Sequence, residues 1–352
     1  MPDWTQSMQR TYEYYTVDPE TWTDVKKLDT IKSCTISRDS DAETLGSASI
    51  GLTELIGECY IRVYMITIQN GVTEKHPLGT FFVQTPSSSF DGKVRDVTVD
   101  AYTPLLELKE NPPPLGYSIL KGENIMKKAY QLVREHARAP VVGVENSETL
   151  YYDFVADTSE TWVTFLSDLI SNAKYTFSLD ELGRILFAPK QDIASLQPVW
   201  TFNDDGKSIL YPEISVNHDL YGIPNVVEVI YSSGSDYYYA RVVNDDENSP
   251  VSTVKRKREI IHREINPNFT GNPTEEEVQK YAEQLLSELS SIEYTISYSH
   301  GYCPVRVGDC VRINYASAGI TDIKAKVISQ SIKCDQDAMV TEKAVFPAKL
   351  WR

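Results

Sequence analysis

Basic side chains are in short supply: 34 Lys and Arg stand against 50 Asp and Glu in 352 residues, a formal net charge of −16. Such a surface repels phosphates, which argues against a protein built to grip nucleic acid. It suits a surface that a polyanion must pass without sticking, and equally well plain solubility. Cysteine is scarce too. The five, Cys34, Cys59, Cys303, Cys310 and Cys334, are odd in number, widely spread and without a C-x2-C pair, so neither a disulfide framework nor a zinc ribbon is indicated. No stretch approaches about 18 consecutive apolar residues. The opening Met1-Pro2-Asp3-Trp4-Thr5-Gln6 lacks the basic start and apolar run of a secretory signal. Secretion and membrane insertion are not expected; synthesis in a reducing cytoplasm is.

What the chain does have is apolar content for ordinary cores (41%) and length for two or three domains. It also has 22 tyrosines, whose apolar ring and polar tip suit strands and interfaces. Residues 1–105 read as short strands between turns. Ser33–Arg38 and Ser47–Leu52 alternate, and Tyr60–Ile68 is a long strand ending at Asn70-Gly71, a hairpin signal. Gly79–Thr85 and Val94–Tyr102 add two strands, with Ser87–Gly92 as the predicted turn. The expectation is a small antiparallel barrel or sandwich.

Asn111-Pro112-Pro113-Pro114-Leu115-Gly116 continues neither helix nor sheet and marks a boundary. Beyond it, Ile125, Met126, Ala129, Leu132, Val133 and His136 recur at helical spacing. A second helix is predicted to open on the capping pattern Asp157-Thr158-Ser159-Glu160 and to carry Trp162, Val163, Phe165, Leu166, Leu169 and Ile170 on one face. With the strand, turn and strand of Tyr175–Pro189, residues 106–198 read as a small α/β domain lacking any Gly-rich phosphate loop. From there to residue 352 the β pattern returns, with Asn225–Tyr231 and Tyr237–Val243 flanking a turn at Ser232–Asp236. A helical insertion at about 255–300 is signposted by Pro273, the capping box Thr274–Glu277 and an apolar face from Val278 to Leu289. Strands resume in Val305–Ile313, Ala325–Ile332 and Met339–Val345. The fold class is mainly β with α+β inserts: barrel, α/β domain, barrel with a helical insertion.

Chemistry is sparse. His300-x-x-Cys303 with Cys310 and Cys334 is the one concentration of metal-capable side chains, and thiolates with imidazole can close a zinc site. The spacing matches no standard site, and ordinary small residues on adjacent strands account for it. His76, His136, His218 and His262 stand alone and read as structural or surface residues. Cys34 and Cys59 are conceivable nucleophiles, but no motif surrounds them and buried Cys is the commoner case. Asn244-Asp245-Asp246-Glu247-Asn248 lacks the ligand order of a calcium loop and reads as a solvated hairpin tip. Lys255-Arg256-Lys257-Arg258 is the one basic cluster, read as a solvated strand or a partner contact before a DNA contact. No catalytic, cofactor-binding or metal residue is assigned, and no cofactor is expected.

Four passages carry a resemblance: Gln9–Pro19 with Asp39 and Gly46–Ile50 after it; Thr161–Phe187, a helix followed by a hairpin; the helix around Tyr281–Leu286; and Val307-Gly308-Asp309-Cys310-Val311-Arg312-Ile313. In this order they resemble the phage baseplate hub family, which includes hubs of contractile and siphophage tails and the base of type VI secretion spikes. The resemblance implies a non-enzymatic homotrimer located in the virion tail tip. Each chain would give two tail-tube-like barrels to a six-fold-like ring, adapting the tail tube to a three-fold spike or tip and allowing DNA passage during host entry. Implied partners are the tail tube or distal tail protein, a spike or tip protein and a tape-measure protein, with no membrane insertion. Because Arg352 closely follows the last strands, a wall-degrading or spike domain is expected on a separate protein. The alternative is an envelope-directed tail protein that hydrolyses the cell wall or binds carbohydrate.

Overall fold

The structure, a computed structural model, describes all residues except 1, 91, 93, 94, 219, 220, 234, 235, 268, 270–272 and 350–352, and omits the side chains of 85, 86, 95, 218, 233, 236, 291–293, 348 and 349. The chain is mainly β with a few helices and divides into two compact units. The larger comprises Met1–Ile214 and Tyr298–Lys343, the smaller Ser215–Ser297 and Ala344–Arg352.

The larger unit begins with seven strands, β1 (Gln9–Val17), β2 (Asp24–Lys27), β3 (Ile31–Asp39), β4 (Gly46–Leu52), β5 (Tyr60–Gln69), β6 (Val72–Phe90) and β7 (Arg95–Tyr102). They hydrogen-bond in the order β3-β4-β7-β6-β5-β1-β2. The β5–β6 hairpin turns where Asn70-Gly71 requires it: both residues have positive φ (51° and 77°), the backbone that Asn and Gly adopt at least cost. The predicted turn at Ser87–Gly92 is displaced. β6 runs on through Ser87, Ser88 and Ser89, which pair with Thr98, Val97 and Asp96. A serine run is polar but imposes no backbone conformation, so pairing with β7 decides it.

The α/β portion carries α1 (Leu106–Glu110), β8 (Ser118–Ile119), α2 (Ile125–His136), β9 (Phe154–Val155), α3 (Trp162–Ser171), β10 (Tyr175–Leu179) and β11 (Ile185–Pro189). The apolar stripes of α2 and α3 form one core, joined by Val17, Trp22, Tyr60 and Phe82 from the opening strands. His136 contributes as an aromatic plate stacked on Trp162, ring centroids 4.3 Å apart. The start of α3 differs from the sequence reading. Thr161 is the N-cap, reciprocally bonded with Thr164, while Asp157–Glu160 forms a separate turn before it, where the Asp157 N–H donates to Glu160 Oε2. Both segments satisfy capping chemistry, and the apolar face starts only at Trp162.

After β12 (Pro198–Asn203) and β13 (Leu210–His218), the smaller unit holds β14 (Val226–Ser233), β15 (Asp236–Val243), α4 (Thr253–Arg256), β16 (Ile261–Ile265) and α5 (Glu275–Leu289). β15, β14 and β16 form a three-stranded sheet, antiparallel on one side of β14 and parallel on the other. The predicted alternation holds: Val227, Val229, Ala240 and Val242 pack on Val278, Ala282 and Leu286 of α5. The predicted capping box is present, with Thr274 and Glu277 bonded reciprocally. The predicted turn between β14 and β15 has Gly234 and Ser235 at its tip, outside the described residues.

Last come β17 (Ser291–Gly301), β18 (Cys310–Tyr315), β19 (Ile320–Lys333) and β20 (Met339–Lys349). β18 pairs antiparallel with β19 and parallel with β12. β19 pairs with β3 from Ser329↔Asp39 to Lys333↔Thr35, so one ladder joins the opening strands to the closing ones.

Candidate functional site

β17, β19 and β20 bring His300, Gln330 and Glu342 together in the larger unit, with Tyr298 and Cys303. Glu342 Oε2 accepts from the Tyr298 hydroxyl (2.6 Å) and Oε1 from Gln330 Nε2 (2.6 Å). His300 Nε2 lies 3.4 Å from Glu342 Oε2, and His300 Nδ1 is 2.7 Å from the Gly301 carbonyl and 3.8 Å from Cys303 Sγ. Burial raises the Glu342 carboxyl, but its bonds to His300, Tyr298 and Gln330 outweigh that and hold it below the ordinary value. Cys, His and Glu in this order look like a nucleophile, a base and its orienting acid. The surroundings disqualify them. Cys303, His300 and Glu342 are each 0% exposed. His300 Nδ1 is directed at a backbone carbonyl, and burial raises the Cys303 thiol far above its ordinary value, so it stays protonated. This is a sealed polar clasp across three strands. Arg38 extends it, donating to Gln330 Oε1 (2.8 Å) and to the Leu78 carbonyl.

The other candidates disperse. Cys310 lies at the start of β18 with its thiol toward the Val311 carbonyl, and Cys334 pairs across strands with Cys34 instead of joining Cys303. Among the described residues no three His, Cys, Asp or Glu side chains converge as metal ligands. Cys59 is half-buried just before β5, its thiol raised by burial. His76 bonds Thr67 and packs edge-on to Trp4, His262 sits on β16, and the side chain of His218 lies outside the described residues. Within Asn244–Asn248, Asp245, Glu247 and Asn248 are exposed as read, whereas Asn244 is fully buried, donating to Ser249 and accepting from the Asp246 N–H. The basic cluster is no strand either. Thr253–Arg256 is one helical turn capped by Ser252, Lys257 ends it in the left-handed region, and Arg256 donates to the Ile223 carbonyl.

A second constellation was not legible in the sequence. Arg62, 4% exposed, donates to Thr80 Oγ1, Asp24 Oδ1 and the carbonyls of Trp22 and Leu182. The Leu182 carbonyl also accepts from Trp22 Nε1 (2.8 Å) and Thr80 Oγ1 (2.9 Å). The tip of the β10–β11 hairpin is thereby pinned to the opening sheet, with Gly183 at φ +75° against Thr80. Beside it lies a cleft of about 370 Å³ lined by Leu78, Phe81, Phe177, Asp180, Glu181 and Asp309, among others. Its carboxylates are engaged: Glu181 pairs with Arg306, Asp309 accepts from the Arg306 N–H, and Asp180 accepts from the N–H groups of Leu182 and Arg184.

Exposed apolar side chains gather in two places. Along the β8–β9 ribbon, Leu115, Leu120, Tyr151, Tyr152 and Val155 face water, the two tyrosines 78% and 82% exposed. In the smaller unit, the sheet face opposite α5 presents Tyr237, Tyr239, Ile261 and Ile265 around Glu228, which bonds Arg263 and Tyr239. Tyr and Arg beside aliphatic side chains is the composition of subunit contacts.

The sequence matches no protein-family model and no curated protein. Solved structures do match. A tail protein from Neisseria meningitidis aligns with a TM-score of 0.66 at 14% identity, covering 97% of this chain and 98% of that one. The 43 kDa tail protein of a Shewanella oneidensis prophage aligns at 0.64 and 12%, covering 95% and 98%. A type VI secretion component of E. coli, described as structurally similar to the T4 tail proteins gp27 and gp5, aligns at 0.51 and 9%, covering 90% and 74%. This chain has the fold of phage tail proteins and of a related type VI secretion component.

Proposed function

We propose that the chain is a structural hub of the tail tip or baseplate of a phage or related injection machine. It acts as a non-enzymatic homotrimer that matches the tail tube to a three-fold spike or tip and lets DNA pass. The observation that carries the reading is end-to-end likeness: two tail proteins superpose over nearly their whole length and nearly all of this chain. In this reading residues 1–105 and 199–352 supply two tube-like barrels and 106–198 an α/β domain, with β3 of the first segment paired to β19 of the last. The exposed ribbon and sheet face become subunit contacts, and the acidic surface keeps DNA from sticking. Tube, distal tail, spike and tape-measure proteins are the neighbours.

The sealed clasp favours the absence of catalysis, because its Cys, His and Glu are closed to any substrate. The alternative, an envelope-directed hydrolase or carbohydrate binder, would use the cleft beside Phe81 and Phe177, whose acids are committed to loop structure. Gold-labelled antibody against the chain tests the reading on intact particles. Label confined to the tip distal to the head is expected; label along the tube, or none on virions, contradicts it.

A further inference from the structure

Cys34 on β3 and Cys334, the residue after β19, are about 300 positions apart in sequence and directly opposite in space. The β3–β19 register runs Ser37↔Ser331, Ile36↔Ile332 and Thr35↔Lys333, and one further step along it sets Cys34 opposite Cys334. The Cys334 N–H donates to the Cys34 carbonyl at 3.0 Å, which holds the two residues opposite each other at the end of the ladder. Residues opposite each other on antiparallel strands have Cα atoms roughly 4.5–5.5 Å apart, inside the range of about 4.4–6.8 Å that a disulfide spans. Both side chains project from the same face, as cross-strand partners must. Cys34 is buried and Cys334 half-buried, so Cys334 is the more accessible of the two.

We propose that Cys34 and Cys334 are a latent cross-strand disulfide site, reduced as the chain folds and closed by exchange with a low-molecular-weight disulfide such as oxidised glutathione. The Cys334 thiolate attacks one glutathione sulfur, forming a mixed disulfide and expelling one glutathione thiolate, which takes up a proton. The Cys34 thiolate then attacks the Cys334 sulfur, expels the second glutathione and completes the bond. Two protein thiols are oxidised and one glutathione disulfide is reduced to two thiols. The hydrogen bond to Cys34, followed by burial, raises the Cys334 thiol well above its ordinary value, so exchange at neutral pH is slow and the pair persists as thiols through folding. Once closed, the bond ties the opening strands to the closing ones. The inference is independent of the hub reading.

The test is to incubate the purified full chain with oxidised glutathione, then denature, alkylate and map peptides by mass spectrometry. The expected result is a Cys34–Cys334 linked peptide that has lost two hydrogens, with Cys59, Cys303 and Cys310 alkylated. The melting midpoint should rise by about 5 °C and return on reduction. Cys34→Ser should stop at a Cys334–glutathione adduct and show no rise, and Cys334→Ser should form neither species. Wild-type protein that stops at the adduct, leaves all five thiols alkylatable, or links a different pair overturns the proposal without reliance on either variant.

Discussion

Glu342 shows what one buried carboxylate holds. Removing it in Glu342→Ala leaves the buried Tyr298 hydroxyl without its acceptor, takes one of two acceptors from Gln330 Nε2 and removes the carboxylate facing His300, and the expected loss is about 3–5 kcal/mol in urea unfolding. Its carboxyl lies below the ordinary value when folded. The stability it contributes is therefore complete above about pH 4.5 and is lost as pH falls through the depressed value. Glu13, Asp18 and Glu228 are lowered as well, so the whole chain weakens in acid. Glu342→Gln should weaken less steeply than wild type as pH falls below about 4.5; parallel midpoint-against-pH curves there would contradict the assignment. Gly183→Ala places a Cβ 2.7 Å from the Thr80 Cβ at a φ of +75°, and a loss of about 2 kcal/mol by thermal melting is expected. The turn within Tyr175–Pro189 was legible in the sequence. That a buried Arg62 receives it was not, because an arginine in a strand reads as outward-facing.

Among the elements, those that formed as read carry chemistry that acts locally. Asn70-Gly71 sets its own backbone, and Thr274–Glu277 closes its own helix start. Thr274→Ala should cost about 1 kcal/mol and raise amide exchange in the first turn of α5, with β14 and β15 protected as before. Elements that depend on a distant partner were harder to read. The parallel pairing of β12 with β18 and of β14 with β16, and the β3–β19 junction, join segments whose patterns do not specify each other. The Ser87–Ser89 stretch and Lys255–Arg258 were misassigned for the same reason: a polar run states that a segment is solvated, and its neighbours decide whether it is strand, turn or helix.

For the whole molecule, the mainly β class with a few helices was legible from turn spacing and alternation, while the division into two units was not, since the smaller unit's strands read as part of a larger barrel. In an assembled tail the exposed ribbon should matter more than in the free chain. Tyr151→Asp with Tyr152→Asp should leave the melting midpoint of the purified protein within about 2 °C, because both side chains already face water, and should sharply reduce incorporation into particles, read by quantitative immunoblot of purified virions. The hub reading makes a definite claim about symmetry. A cryo-electron microscopy reconstruction of tails from the source tests it most directly: three copies of this chain, each giving two similar barrels to a ring of six at the end of the tube, is the predicted result, and a single copy, or a ring without that duplication, would contradict it.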